Sequence, residues 1–242
     1  MALTPWQRIS IKSFSGVLLL LGLTSCTPNK PEEYNWRLPE GFPAPLVPLD
    51  NPMSEDKVIL GKSLFFDTNL SFNRTMSCAS CHQPEFAFAE NKIVATGATG
   101  QSHRRNTQAL VNVAYNGHLT WAHSGLEQIE QQILIPMFSE EPVELGITGH
   151  EQQVLKRFST QTYQQLFSQA FDHDQPTFDH IVKALASYVR SLTSFESAFD
   201  RYAYQNQDSA MSEAAIRGMD LFFSEKFECF HCHGGFNFSQ SS

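Results

Sequence analysis

Two copies of one five-residue pattern constrain this chain more than anything else in it. Cys78-Ala79-Ser80-Cys81-His82 lies in its first third and Cys229-Phe230-His231-Cys232-His233 near its end. Two thiols one helical turn apart can form thioethers to the two vinyl groups of one porphyrin, and the adjacent histidine then lies under the iron as a ligand. A single such pattern is also compatible with a redox dithiol or half of a zinc site. A zinc site needs further ligands at regular spacing, and a thioredoxin-like dithiol needs a βαβ context. The flanks of both copies read as helical, so the expectation is two covalently bound c-type haems, on Cys78, Cys81 and His82 and on Cys229, Cys232 and His233. Those four thiols leave one cysteine, Cys26, and no pairs for a disulfide framework.

Cys26 closes a leader. Arg8 and Lys12 supply positive charge, and the apolar run containing Val17-Leu18-Leu19-Leu20-Leu21 is too short to span a bilayer. The run ends in Leu23-Thr24-Ser25-Cys26, which has the form of a bacterial lipoprotein box; a plain secretory signal is the alternative. Lipidation at Cys26 would anchor the chain on the periplasmic side of a membrane, stably with two or more acyl groups. Aspartate is absent at position 27, as in lipoproteins sorted to the outer membrane. The net charge of −8 disfavours nucleic-acid binding. Expected boundaries are 1–25 for the leader, 26–52 for a proline-rich tether, 53–205 for a first haem domain and 206–242 for the start of a second.

The remaining chain reads as all-α, with no strand alternation. Ser54 is an N-cap candidate before Glu55 and Asp56, opening a helix to Phe65 or Phe66. Residues 67–77 read as a loop. Further helices are expected over 124–134, ended by Pro136, over 150–171 and over 177–199, the last with the clearest apolar spacing. There is an internal repeat: Met53-Ser54-Glu55 with Gly61-x-x-Leu64-Phe65-Phe66 precedes the first cysteine pattern, and Met211-Ser212-Glu213 with Gly218-x-x-Leu221-Phe222-Phe223 precedes the second. Glycine on a helix lets another helix approach closely.

Several motifs in order resemble the bacterial di-haem cytochrome c peroxidase and MauG family. They are Gly61-Lys62-x-Leu64-Phe65-Phe66-Asp67-x-x-Leu70-Ser71, the first cysteine pattern, Arg105-Asn106-Thr107, Leu110 to Asn116, Trp121, Gln132-x-x-x-Pro136 and Val143-Glu144-Leu145-Gly146. The stretches Leu119-Thr120-Trp121, Pro136-Met137-Phe138 and Glu228 to Phe238 resemble a branch found with methanobactin operons, whose members oxidise tryptophan in a partner protein. The resemblance implies two cytochrome c modules, the second incomplete. The first haem would react with hydrogen peroxide and the second would relay electrons from a small redox protein or an oxidisable partner side chain. By the same resemblance Glu144 is the acid–base residue and Gln132 orients peroxide. Trp121 bridges the haems, and Asn106 matches a calcium position.

Departures refine this. Ala98 stands where many such peroxidases have a distal histidine, which leaves the first iron open at rest. Trp121-Ala122-His123-Ser124 replaces the usual Trp-Asp-Gly-Arg. His103 reads as structural, and His118 and His123 as surface or core residues. No methionine matches a distal ligand of the second haem, and only nine residues follow His233, so a C-terminally truncated piece is expected. Two rivals remain: a non-catalytic electron-transfer cytochrome, and a fragment that holds a single haem.

Overall fold

The computed structural model describes residues 34–120 and 125–239. The leader, Cys26, Trp121 and His123 lie outside the described residues. Among those described there is no strand, only the isolated bridges Gln83–Ala89, Thr96–Ser102 and Glu140–Val143. No described helix is long and apolar enough to cross a membrane.

Helix α1 spans Glu55–Phe66 and starts where its cap chemistry requires: the Ser54 hydroxyl accepts the Lys57 N–H at 3.2 Å, with Glu55 and Asp56 in the first turn. It buries Lys57, Leu60, Gly61, Leu64 and Phe65, one face at helical spacing. That face lies on α5, Phe178–Arg190, which is capped by Thr177 and buried almost all round from Ala184 to Arg190. The crossing point is Gly61. A Cβ there would sit 2.0 Å from the Ala184 carbonyl oxygen and 2.9 Å from Tyr188 Cβ, so only glycine admits this approach.

Three expected helices differ. Pro136 does not end the second: α2 runs Ile129–Phe138 with Pro136 inside it. A proline late in a helix forfeits one hydrogen bond, and here a later loop binds the carbonyls at the helix end: Leu145 N–H donates to Pro136 O and Ile147 N–H to Met137 O. The stretch 150–171 is two helices, α3 Glu151–Arg157 and α4 Gln161–Phe171, because the Thr160 hydroxyl accepts the Tyr163 N–H and starts a new cap. The stretch 177–199 breaks after Arg190 for the same reason. Ser197 and Asp200 cap α6, Ala198–Tyr204, reciprocally. The loop 67–77 contains a short 3₁₀ turn at Thr68–Leu70.

The repeat is visible as structure. Helix α7, Glu213–Phe222, is capped by Ser212 as α1 is by Ser54. Yet Gly218 has nothing within 4 Å of a notional Cβ, and Leu221, Phe223 and Phe227 are exposed. The twin of the α1 packing face is therefore uncovered among the described residues.

Two segments without regular structure tie the body together. Asn51, fully buried at the end of the proline-rich stretch, donates to Glu130 Oε1 and Lys183 O and accepts from Lys57 Nζ. Arg190 completes this buried cluster by donating to both oxygens of Glu130. At the other end Phe236 packs among Phe42, Tyr115 and Phe195, while Asn237 donates to Asn112 O and Asn116 Oδ1. The chain after the second cysteine pattern thus folds back onto the first module.

Candidate active site

Cys78 begins a single tight turn, Cys78–Ser80, on the wall of a cavity of about 300 Å³. Cys81 N–H donates to Cys78 O at 3.2 Å and His82 N–H to the same carbonyl at 2.9 Å, which puts both thiols and the imidazole on one turn. The second copy repeats this backbone: Cys232 N–H and His233 N–H both donate to Cys229 O, at 3.2 and 2.9 Å, and α8 spans Phe230–His233. The surroundings differ. Cys78, Cys81 and His82 line the cavity, whereas Cys232 and His233 are exposed and Cys229 is partly so.

The first turn fits a haem. His82 Nδ1 lies 2.8 Å from Phe88 O. A carbonyl can only accept, so in the tautomer that donates from Nδ1 to Phe88 O, Nε2 keeps its lone pair for a metal; the Gln108 backbone also hydrogen-bonds the ring. Ala87 and Phe88, at φ 56° and 59°, form the left-handed turn that brings this carbonyl under the ring. Burial pulls the His82 pKa down, which favours the neutral ring. Burial also pushes the Cys78 thiol up to about 12 and Cys81 to about 11. A redox dithiol or zinc thiolate needs the reverse shift; thioether formation consumes the thiols and asks for none. Phe65, Leu110, Val113, Leu185 and Val189 supply apolar wall.

Polar groups converge on the same cavity. Gln132 projects from α2, and its Oε1 is buried with no hydrogen-bond partner among the described residues. An orphaned buried amide oxygen carries a free-energy cost unless something in the cavity satisfies it. Glu144 lines the cavity from the loop that follows α2, and burial pushes its carboxyl up to about 7. That loop is fixed on both sides, by the α2 carbonyls through Leu145 and Ile147 and by Phe72 N–H donating to Leu145 O at 2.9 Å. A carboxyl group poised near neutrality that shares a cavity with an unpartnered amide suits proton transfer on a small bound molecule.

The structure therefore brings Cys78, Cys81, His82, Gln132 and Glu144 to one cavity, and places Cys229, Cys232 and His233 elsewhere. Asn106 lines the cavity too, and its side-chain N–H donates to Lys92 O at 2.6 Å. Ala98 lies in the loop against Glu144, its N–H donating to Glu144 O. His118 is exposed. Two contributors escaped sequence reasoning. His103, read as structural, faces Glu144 across 3.9 Å. Arg157 donates to the carbonyls of Asn69, Ser71 and Phe72 and so fixes the loop between α1 and Cys78. No local signal marks Arg157, since its partners are more than 80 residues away.

Comparison with known proteins identifies the family. The family model described as di-haem cytochrome c peroxidase matches residues 55–209. The chain belongs to the di-haem cytochrome c peroxidase family. Among curated relatives, the methylamine utilization protein MauG of Methylophilus methylotrophus is 31% identical over 225 residues, covering 93% of this chain and 65% of the relative. The cytochrome-c peroxidase IdrP1 of Denitromonas iodatirespirans is 36% identical, covering 78% of this chain and 49% of the relative. Among solved structures, a MauG-like protein associated with microbial copper homeostasis superposes with TM-score 0.82 at 39% identity, covering 86% of this chain and 60% of that one. The diheme peroxidase BthA of Burkholderia thailandensis, at 22% identity and TM-score 0.62, shares the fold. This chain thus spans 49% to 65% of these family members' length. The all-α, cytochrome c-like architecture read from the sequence holds.

Proposed function

We propose that this chain is the haem-carrying body of an oxidoreductase that reacts with hydrogen peroxide in the cavity lined by His82. The observation that carries the reading is the presence in one cavity of Glu144, its carboxyl pushed up to about 7, and the orphaned Gln132 Oε1. Cys78 and Cys81 would hold one porphyrin by thioethers and His82 would ligate its iron; Cys229, Cys232 and His233 would hold a second. Bound haem supplies the redox-active iron at which a peroxide O–O bond is cleaved. The protein's part is proton management. Gln132 Oε1 accepts a hydrogen bond from peroxide and orients it. Glu144, as carboxylate, takes the proton from the oxygen nearer His82 and returns it to the departing oxygen, which leaves as water.

The electrons would enter through the second haem, from a small redox protein or an oxidisable tryptophan of a partner. Trp121 would lie between the haems, and Asn106 would contribute to a calcium site. Cleavage before Cys26 and its lipidation would hold the protein on the periplasmic face of the outer membrane. On this reading residues 53–205 form the peroxide-reactive module and 206–242 open the second, with 26–52 as the tether.

A second reading has one observation in its favour. The thioethers of Met76 and Met137 border the same cavity, and either would make the first haem six-coordinate and purely electron-transferring. Cyanide binding to the ferric, haem-loaded protein separates the two. Rapid binding at the first haem, retained in the Cys229→Ala/Cys232→Ala variant, supports an open iron; no binding supports the cytochrome.

A further inference from the structure

The loop 95–103 has an architecture that haem attachment does not require. Gly97 N–H donates to Gln101 O and His103 N–H to Ala95 O, both at 2.9 Å, closing it into a tight hairpin-like turn with Gly100 at φ 84°. The turn is clamped to the loop that carries Glu144. Ala98 N–H donates to Glu144 O at 2.8 Å, and Val143 N–H to Gln101 Oε1 at 3.1 Å. At Gly97 a Cβ would come 1.7 Å from Val143 O, so the two backbones touch there. These contacts set the spacing of two side chains. His103 Nδ1 lies 3.9 Å from Glu144 Oε1, both groups line the cavity, and their side chains are 16% and 34% exposed.

We propose that His103 is a proton-transfer partner of Glu144, placed to take that carboxyl's proton and pass it on. The proposal rests on the peroxide reading of the cavity. It also gives that reading a route by which a Glu144 carboxyl that is protonated below about pH 7 becomes the carboxylate the peroxide step needs. The separation is longer than a direct hydrogen bond, about 2.7–3.2 Å; one water or a small rotation of either side chain closes it. The step balances. Protonated Glu144 gives its proton to the lone pair on Nδ1, Nε2 releases its own proton to water, and no electrons move. Reversal recharges the carboxyl.

The electrostatic surroundings allow both protonation states. Burial lowers the His103 pKa while the Glu90 carboxylate raises it, and burial raises that of Glu144. The other titratable or charged groups lining the cavity are Arg105, His82 and the thiols of Cys78 and Cys81. Arg104 is engaged at 3.7 Å with Glu141. His103 acts through Glu144, so it is a positioning residue and not one that touches peroxide.

The test uses the haem-loaded protein and its His103→Gln and Glu144→Gln variants. Peroxide reaction rates across pH are expected to show two ionisations in the unaltered protein and one in His103→Gln. That variant should slow by about tenfold, less than the ~10²–10⁴-fold of a direct proton carrier, and added imidazole should restore the rate. Infrared pH titration gives a readout that needs no turnover. The carboxyl band absent from Glu144→Gln should shift in frequency in His103→Gln, because the carboxyl loses the imidazole that faces it across 3.9 Å. An unchanged pH profile and an unmoved band would overturn the proposal. So would a low-spin bis-histidine signal lost in His103→Gln, which would place the ring on the iron. If the unaltered protein ignores peroxide, the peroxide reading falls. The proton coupling of the pair is then judged by the band alone: a shift upholds it and no shift ends it.

Discussion

Gly61 and Gly218 occupy the same place in the two copies of the repeat, yet alanine should act oppositely at the two sites. At Gly61 the new Cβ meets the Ala184 carbonyl oxygen at 2.0 Å, where ordinary contact begins at 3.4 Å. The neighbour is backbone, so no side chain can swing away, and α1 must back off α5 by about 1.4 Å in a core packed at crystal-like density. A gap of ~0.5–1 Å already forfeits about a quarter to a half of a dispersion contact, and the seam includes Leu60, Leu64, Phe65 and Leu185, all at most 1% exposed. The expected loss is about 3 kcal/mol, the upper end of the ~1–3 kcal/mol range for overpacking. At Gly218 nothing lies within 4 Å, so alanine removes only the backbone entropy penalty and stabilises α7 by roughly 0.5–1 kcal/mol. Urea unfolding of the haem-loaded chain, followed by far-ultraviolet circular dichroism, reads both. The reasoning fails if Gly61→Ala unfolds within about 0.5 kcal/mol of the unaltered chain, the ordinary scatter of a surface substitution. It fails equally if Gly218→Ala destabilises as much as Gly61→Ala.

Three further outcomes follow from the same contacts. Glu130→Ala leaves Arg190, 2% exposed, without its carboxylate, and should lower unfolding stability by roughly 3–5 kcal/mol; a loss under about 1 kcal/mol would mean that the pair contributes little. Gly97→Ala drives a Cβ into Val143 O, so it should separate the loop 95–103 from that of Glu144 and raise amide exchange at Ala98 and Val143; unchanged protection there would contradict the clamp. Glu144 has a folded-state pKa of about 7 against a usual 4.5. A carboxyl raised in this way stabilises the fold most below the usual value and loses that contribution as pH rises towards 7. The urea midpoint should therefore fall between pH 4.5 and 7 relative to Glu144→Gln, and a constant difference would refute the burial of this carboxyl.

The first haem turn was legible because its chemistry is local: five consecutive residues specify two thiols and an imidazole on one turn. The cap at Ser54 was legible for the same reason, since its hydroxyl and the N–H it satisfies are three residues apart. Glu144 and Gln132 were legible through resemblance rather than through any periodicity. The helix breaks at Thr160 and Ser197 were hidden because apolar spacing runs across them, while the hydroxyls that start new caps compete within a few residues. Pro136 misled because the bonds that hold the end of α2 come from Leu145 and Ile147, beyond the helix itself. His103 reads as structural because its partner is more than 40 positions away, and the contacts of Gly97, Ala98 and Gln101 with Val143 and Glu144 bring them together. The buried cluster of Asn51, Lys57, Glu130 and Arg190 was invisible for the same reason: each residue looks like an ordinary surface polar group until the fold joins them.

The most direct measurement is rapid mixing of the ferric, haem-loaded protein with hydrogen peroxide, followed in the visible spectrum beside Glu144→Gln. The account predicts a fast spectral change whose rate climbs with pH through about 7 as the Glu144 carboxyl ionises, and a variant slower by about 10²–10⁴-fold that lacks this pH step. An equally fast variant would remove Glu144 from the chemistry, and no spectral change in either protein would contradict a peroxide-reactive first haem.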